Sequence, residues 1–226
     1  MMNSPNENQV RAPQQQRSKQ RADQILAAAR TIILQKGCAN LTISEIAEVA
    51  GVTPGSMYQY YRNKAAIILA LGQYYLDQFQ QQLLQIFNEP VRNKEQLASH
   101  FLEVLELHYQ MLRDDPVVRD VWAGTATDKD LQNLEQQDND RNLQFFCEVA
   151  APFFPTSAAA ELQRTLNLLL HFAIAGARLA LEQEAIQGRN TIDAAKKMLG
   201  QLWLQFCSNY TDASWQHPTE SPIRDE

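Results

Sequence analysis

The segment from Leu41 to Lys64, LTISEIAEVAGVTPGSMYQYYRNK, carries the residue types in this chain that best fit a chemical task. Its second half contains hydroxyl groups at Thr53 and Ser56, three tyrosine phenols and a final lysine ammonium. These groups donate hydrogen bonds to phosphate oxygens and to base edges, so the segment has the side chains of a nucleic-acid-binding surface. The alternative is that the aromatic rings pack inside the fold.

The same segment contains the start and stop signals of two short helices. Thr42 followed by Glu45 is a capping box, and Gly51 is typical of a residue that ends a helix. Thr53 predicts a second N-cap, and Pro54 occupies the first helical position, where its missing N–H costs nothing. Two helices joined by a glycine-containing turn predict a helix-turn-helix.

Charge is divided unevenly along a chain whose formal net charge is -6. Residues 1–64 contain eight Lys/Arg and four Asp/Glu, whereas residues 65–226 contain twelve and twenty-two. The acidic total argues against nucleic acid, but a phosphate backbone meets a local surface and not the net charge. The basic N-terminal part therefore keeps DNA binding open.

Composition favours an all-α protein and argues against several other classes. Ala, Leu, Gln and Glu dominate, while glycine and proline are sparse. No run of about 18 apolar residues predicts a membrane span, and no apolar signal-peptide core is present, so we expect a cytoplasmic protein. Three separated cysteines predict neither a disulfide framework nor a metal site. Without a glycine-rich phosphate loop, a His/Cys cluster or a Gly-x-Ser-x-Gly turn, we expect neither an enzyme nor a cofactor.

The whole chain predicts about nine helices and no strand. We expect a disordered N-terminal arm, a helix-turn-helix domain, a larger helical domain and a flexible tail, at residues 1–16, 17–64, 65–210 and 211–226. The first helix is expected from about Ser18 to Lys36.

Near the C-terminus, the apolar pattern predicts one long helix from about Ser157 to Ile186. Gly188 is expected to interrupt the helical pattern, because glycine commonly follows the end of a helix. Asn190 is then the predicted cap of the last helix.

The order of helices, and above all the helix-turn-helix segment, resembles the tetracycline-repressor (TetR) family of bacterial transcriptional regulators. The family pattern is matched at Thr42, Ile46-Ala47, Ala50-Gly51-Val52, Thr53, Tyr58, Tyr60-Tyr61 and Lys64. Two departures are Tyr60, where many members carry His, and Pro54, which leaves no long side chain early in the second helix. The resemblance covers residues 18–70 and implies an all-α, nine-helix TetR-like architecture.

The resemblance implies that the protein is a homodimeric transcriptional regulator. It would act as a repressor that binds a palindromic operator in double-stranded DNA. A small-molecule effector would release it by tilting the helix that begins at Lys64. The alternative is a chromosome-associated DNA-binding protein of the same fold, with a protein partner in place of the effector. An interaction module that ignores DNA is a third reading.

A recognition helix enters the major groove N-terminus first, so its first turn lies nearest the bases. The predicted DNA-binding residues are Thr42, Thr53, Pro54, Gly55, Ser56, Tyr58, Gln59, Tyr60 and Lys64. The basic Arg17, Lys19 and Arg21 either reach the flanking backbone or minor groove, or form a solvated arm.

Polar residues interrupt apolar helix faces in the larger domain, among them Asp138 with Arg141 or Asn142. A buried polar group costs about 1–3 kcal/mol unless it finds a partner, so such groups satisfy one another, lie exposed or line a cavity. The residues that would line an effector pocket are His108, Tyr109, Trp122, Asn142, Phe145, His171 and Arg178.

A stripe of small and apolar residues on the last two helices could pack against its own copy in a four-helix dimer interface. The residues proposed for this interface are Ala173, Gly176, Ala177, Ala180, Leu199, Leu202, Trp203 and Phe206. The alternative is burial of the same residues against helices of their own subunit.

Overall fold

The computed structural model describes residues 7–210, with side chains from residue 16 onward. The described residues form nine α-helices, with short 3-10 turns between some of them, and no strand. This all-α architecture confirms the predicted fold class. The helices are α1 (Glu7–Lys36), α2 (Ile43–Val49), α3 (Pro54–Tyr60), α4 (Lys64–Ile86), α5 (Lys94–Asp114), α6 (Pro116–Ala123), α7 (Lys129–Ala150), α8 (Ala159–Leu181) and α9 (Ala185–Ser208). None of them combines the length and apolarity needed to cross a lipid bilayer.

The chain forms two compact units. The first consists of Met1–Phe79 with Met111–Gln136, and the second of Gln80–Gln110 with Gln137–Glu226. This grouping differs from the predicted division after Lys64, because α4, α5 and α7 each contribute residues to both units. The two units are described separately below.

Helix α1 begins at Glu7 and so includes most of the segment predicted to be a disordered arm. The sequence places its start near Ser18, just before the apolar stripe. Gln, Arg and Lys are good helix formers, and extending an existing helix is easier than nucleating a new one. The helix therefore continues well beyond its first core residue, Ile25. Residues 1–6 of the predicted arm and the predicted tail lie outside the described residues.

The core of the first unit joins α1 to the helix-turn-helix and to the start of α4. Ile25, Ile46, Met57 and Ile67 are each 0% exposed. Because these four apolar side chains come from α1, α2, α3 and α4, the recognition segment is held by a common core.

Aromatic rings form much of the core of the second unit. Trp203 on α9 is 2% exposed, and its ring centroid lies 5.2 Å from that of Phe101 and 5.6 Å from that of Phe154. Its indole N–H donates a hydrogen bond to the Lys94 carbonyl at 3.3 Å. Edge-to-face rings and a satisfied indole make this a well-packed centre for α5 and α9.

The prediction for the last two helices is wrong in its boundaries. Helix α8 ends at Leu181 and α9 begins at Ala185, so Gly188 and Asn190 lie inside α9. A Cβ at Gly188 would lie 2.3 Å from the Ala180 carbonyl oxygen. Glycine is therefore present because the two helices approach closely at this point, and not because a helix ends there.

Glu106 on α5 accepts hydrogen bonds from two basic side chains of α9. Arg189 Nη1 donates at 2.6 Å and Lys196 Nζ at 2.5 Å. The hydrogen bond from Arg189 is the largest cause that lowers the pKa of Glu106, to about 2. Arg189 also pairs with Asp193 one turn along α9. These charges join α5 to α9 beside the apolar core of the second unit.

We expect this cluster to make stability depend on pH. The folded-state pKa of Glu106, about 2, lies below its ordinary value of 4.5, so the contribution is complete above pH 4.5 and is lost as the pH falls towards 2. Because Arg189 is 38% exposed, screening limits the contribution to about 1 kcal/mol. Glu106→Gln should lower the free energy of unfolding by that amount at pH 7, and the difference from wild type should shrink towards pH 3.

Urea unfolding over a series of pH values measures this dependence. Glu89→Gln is the control, since Glu89 is exposed and should change stability little at any pH. If Glu106→Gln and Glu89→Gln gave the same small effect at pH 7, the ion cluster would not stabilise the fold.

Candidate nucleic-acid interface

Thr42 caps helix α2, as the sequence predicts. Its Oγ1 accepts a hydrogen bond from the Glu45 N–H at 3.4 Å and its hydroxyl donates to Glu45 Oε2 at 2.5 Å. Glu45 also accepts from Lys36, and the Lys36 hydrogen bond is the largest cause that lowers the pKa of Glu45. Because the Thr42 hydroxyl already donates to this carboxylate, a DNA phosphate would have to compete for it.

The turn between α2 and α3 depends on Gly51. Its φ of 63° lies in the left-handed region that side chains with a Cβ rarely adopt. The Val52 N–H reaches back to the Ala47 carbonyl at 2.9 Å and the Gly51 N–H to the Glu48 carbonyl at 3.1 Å. These bonds satisfy the last carbonyls of α2 and direct the chain into α3.

Helix α3 is capped at one end and fixed in the core through its middle. Thr53 Oγ1 accepts from the Ser56 N–H at 3.2 Å, and Pro54 occupies the first helical position. Met57 is fully buried, and Tyr61 follows the helix as its half-buried C-cap. Burial, and secondarily the Asp23 carboxylate of α1, raises the pKa of Tyr61. The anchoring residues therefore lie on one side of α3.

The opposite side of α3 is open to solvent. Thr53, Pro54, Gly55 and Gln59 are exposed, and 59% of Tyr58 is exposed. No heavy atom of the described residues lies within 4 Å of the position that a Cβ would take at Gly55. The backbone at Gly55 can therefore approach a ligand closely. The phenol of Tyr58, three residues further along, lies on the same face of the helix.

Ser56 and Tyr60, the remaining predicted contacts on α3, are half-buried. Their backbones are therefore part of the recognition helix, but their side chains offer less surface than Tyr58 does. The structure accordingly makes Tyr58 the most prominent side chain of the predicted set.

Lys64 has a structural partner that the sequence did not indicate. Its ammonium donates to the carbonyls of Cys38 and Ala39, at 3.3 and 2.9 Å. These carbonyls belong to the short 3-10 turn that joins α1 to α2. An ammonium has three donors, so a phosphate contact remains compatible with this arrangement. Lys64 thus supports the helix-turn-helix from the start of α4.

Two family models match the chain. The one described as "Bacterial regulatory proteins, tetR family" matches residues 25–71, which include α2, α3 and their turn. The one described as "Tetracyclin repressor-like, C-terminal domain" matches residues 95–206. The chain belongs to the TetR family. The match at residues 25–71 makes it a DNA-binding regulator.

Curated relatives match this TetR-family regulator over part of its length. It is 33% identical over 92 residues to the fatty acid metabolism regulator protein of Bacillus subtilis (strain 168). These aligned residues make up 41% of this chain and 45% of the relative. It is 40% identical over 62 residues to the HTH-type transcriptional regulator TtgR of Pseudomonas putida, which covers 27% and 29%. The chain thus spans less than half the length of the curated relatives it matches.

Solved structures resemble the regulator over most of the chain. A transcriptional regulator from Rhodococcus sp. Rha1 has a TM-score of 0.66 at 16% identity and covers 82% of this chain and 96% of its own. A TetR transcription regulator from Haloarcula marismortui has a TM-score of 0.64 at 16% identity, with coverages of 83% and 98%. At these identities the likeness shows the shared fold.

Residues predicted to line an effector pocket take several different positions. Trp122 belongs to the first unit, whereas the other six belong to the second. Tyr109 is 3% exposed within a core cluster, and His171 is exposed with its Nδ1 2.8 Å from the Asn167 carbonyl. The pocket itself stays a prediction.

His108 and Arg178 are the members of that set that influence each other electrostatically. Burial, and then the positive charge of Arg178, lowers the pKa of His108 to about 4. The imidazole is therefore neutral at pH 7 and can take part in hydrogen bonding without carrying charge.

The polar residues of α7 largely satisfy one another. Asn142 Nδ2 donates to Asp138 Oδ2 at 2.8 Å, and Asn142 Oδ1 accepts from Gln80. Arg141 pairs with the other oxygen of Asp138 at 2.5 Å. Asp138 and Asn142 are 7% and 4% exposed, so these bonds remove most of the penalty of burying them. This is the structural alternative that the sequence left open.

The stripe predicted to form the dimer interface lies mostly inside the protomer. Ala177, Ala180, Leu199, Trp203 and Phe206 are at most 9% exposed. A Cβ at Gly176 would lie 3.2 Å from the Ala195 Cβ, and Ala173 packs beside the same core. Small side chains on α8 therefore let α9 approach closely, which is the other role considered for them. Only Leu202, at 43%, is well exposed.

A second apolar stripe lies on the outer face of the same two helices, and of its members the sequence analysis named only Leu202. It consists of Leu168, Phe172 and Leu179 on α8, with Met198 and Leu202 on α9, each between 43% and 63% exposed. We call these five residues the outer stripe. The spacing of the three α8 residues places them on one helical face, but a helix that is apolar on two faces does not reveal which face is buried.

Proposed function

We propose that this TetR-family regulator is a homodimeric, ligand-responsive repressor that binds a palindromic operator. The observation that carries the proposal is the open side of α3, where Gly55 and Tyr58 extend from a helix anchored by buried Met57. A short, rigid helix with exposed polar and aromatic groups fits the major groove. A palindromic operator follows if two such helices are related by a two-fold axis.

The outer stripe supports dimer formation. Several exposed apolar side chains on one helical face are unusual on a monomer and mark contacts with a partner. A second copy of the chain suits this face, because two antiparallel helices meeting their own copies form a four-helix interface. The stripe lies on α8 and α9 and shares no residue with the helix-turn-helix.

Replacing Phe172 by arginine is expected to convert the dimer into a monomer. Two like charges would face each other across the two-fold axis, and a desolvated guanidinium without a partner costs several kcal/mol. Light scattering after size exclusion measures the mass. The control is Leu84→Arg, since Leu84 is 56% exposed on α4, outside the outer stripe. A wild-type monomer, or a Phe172→Arg dimer, would contradict the proposed interface.

Contacts between α6 and the helix-turn-helix offer a route for the effector response. Asp115 accepts from Arg30 of α1 at 2.8 Å and from the Tyr75 hydroxyl at 3.2 Å. Asp120 on α6 accepts from the backbone N–H of Cys38. An effector that displaces α6 would therefore move the start of the helix-turn-helix and lower the affinity for the operator.

The test is fluorescence anisotropy with DNA from upstream of the protein's own gene, beside a scrambled duplex, at two salt concentrations. Tight binding to the upstream DNA alone, lost on addition of a small molecule, is the expected result. A ligand screen begins with fatty acids, because one relative is named a fatty acid metabolism regulator protein. Equal binding to both duplexes and no ligand response would favour a chromosome-associated protein.

A further inference from the structure

We propose that the N-terminal part of α1, residues 7–24, is a second DNA-binding element that contacts the phosphates flanking each half-site. This inference rests on the proposed function and extends it, since none of the predicted contacts on α2, α3 or α4 belongs to this segment. Its ligand is the sugar-phosphate backbone of double-stranded DNA. We call residues 7–24 the α1 extension.

Residues 16–24 of the α1 extension bury almost nothing in their own protomer. From residue 16 to 24 every side chain is exposed except Ala22, which is half-buried. The first buried residue after position 16 is Ile25, at 0% exposed. Intrahelical hydrogen bonds alone give an isolated helix little stability in water, so a helical segment whose described side chains are exposed is suited to a partner outside the chain.

Arginines replace apolar residues where the helix leaves the core. Arg21 and Arg17 precede Ile25 by four and eight residues, so they continue the helical face that is buried in the core of the first unit. On that face, Ile25, Ala28 and Ile32 are at most 4% exposed. The same helical face thus carries apolar core residues from Ile25 onward and guanidinium groups before it. Exposed guanidinium groups at this position suit a negatively charged partner such as DNA phosphates.

Neither arginine is neutralised by an acid of the described chain. None of the ion pairs among residues 16–210 includes Arg17, Lys19 or Arg21. Arg21 donates from one nitrogen to Gln24 Oε1 at 3.1 Å, which leaves most of its five donors for phosphate oxygens. Asp23, an acidic residue of the segment, makes none of the ion pairs among residues 16–210.

The position of α1 places the extension beside the recognition helix. Asp23 lies close enough to Tyr61, the C-cap of α3, for its charge to affect that phenol. From Asp23 back to Glu7 the helix rises about 1.5 Å per residue, which gives a projection of about 24 Å. When α3 lies in the major groove, a projection of that length reaches the backbone that flanks the half-site.

The experiment compares full-length wild type with Arg17→Ala/Arg21→Ala on a duplex that wild type selects from a random library. That duplex is used with long flanks and again trimmed to the protected half-sites. Alanine keeps the helix, since it is the strongest helix former. For a dimer with four phosphate contacts removed, the slope of log K against log salt should become shallower by about three to four. Affinity for the long duplex should fall at least tenfold, and trimming should weaken wild type only.

The matched control is Arg92→Ala/Lys129→Ala, which removes the same charge from exposed positions outside the α1 extension. Arg17→Gln/Arg21→Gln repeats the test if the alanine variant folds poorly. An unchanged salt slope and an unchanged dependence on flank length in the arginine variants would overturn the inference. The proposed function would fail separately, if wild type selected no palindromic sequence. In that case the salt slopes of wild type and variant are still compared on any duplex that binds, so the inference about the α1 extension remains tested.

Discussion

Replacing Gly188 by alanine is expected to lower the free energy of unfolding by roughly 1–3 kcal/mol. The added Cβ would lie 2.3 Å from the Ala180 carbonyl oxygen and 3.3 Å from its carbonyl carbon. Both atoms belong to the backbone of α8, so no side-chain rotation relieves the clash. The two helices would have to separate, which would disturb the core cluster around Ala180 and Ile192.

Chemical denaturation followed by circular dichroism measures this effect. Gly200→Ala is a matched control in the same helix, because its Cβ would meet Leu102 Cδ1 at an ordinary 3.7 Å. Alanine favours a helix interior over glycine by about 1 kcal/mol, so Gly200→Ala should stabilise the protein slightly. If both substitutions stabilised it, α8 and α9 would not approach as closely as described.

Tyr58→Ala is expected to have the largest effect on DNA binding, at least a tenfold loss of operator affinity. Its ring and hydroxyl are 59% exposed on the open side of α3, where they reach phosphates or thymine methyl groups. Because the side chain packs little in the free protein, the free energy of unfolding should change by less than about 0.5 kcal/mol. Anisotropy titrations and thermal unfolding of the same preparation separate the two quantities.

Tyr58→Phe separates the hydroxyl from the ring. If the phenol bonds a phosphate, phenylalanine should lose most of the affinity that alanine loses, and the salt slope should stay as in wild type, because a neutral hydroxyl releases no counterions. If the ring contacts a thymine methyl group, phenylalanine should bind as wild type does. Unchanged affinity in Tyr58→Ala would remove Tyr58 from the proposed interface.

The structure also changes how Lys64 must be tested. Because its ammonium bonds the carbonyls of Cys38 and Ala39, a weaker Lys64→Ala variant could have lost either a phosphate contact or the support of the α1–α2 turn. Tyr58, by contrast, is an exposed side chain that does not support the α1–α2 turn in this way. It therefore gives the clearer measure of DNA contact.

The helix-turn-helix was predictable because its determinants are local. A threonine that caps α2, a glycine that adopts φ 63° and a threonine-proline start to α3 each act within a few residues. Their types and spacing specify the turn before any long-range contact forms. The all-α class follows for the same reason, from helix formers repeated at helical spacing.

The tertiary structure decided the features that depend on residues far apart in the chain: which helix face is buried, why a glycine is needed and which partner a buried polar group finds. Helix α8 is apolar on two faces, and only packing against α9 shows that Ala177 is buried while Phe172 is exposed. Gly188 reads as a stop signal in sequence, but its reason is a carbonyl of another helix. Asn142 similarly depends on Gln80, far away in the chain, for the hydrogen bond that its Oδ1 accepts. Sequence by itself determined caps, turn and recognition helix, because these are short-range; the partners of buried faces are set by which helices meet, and that is a property of the fold.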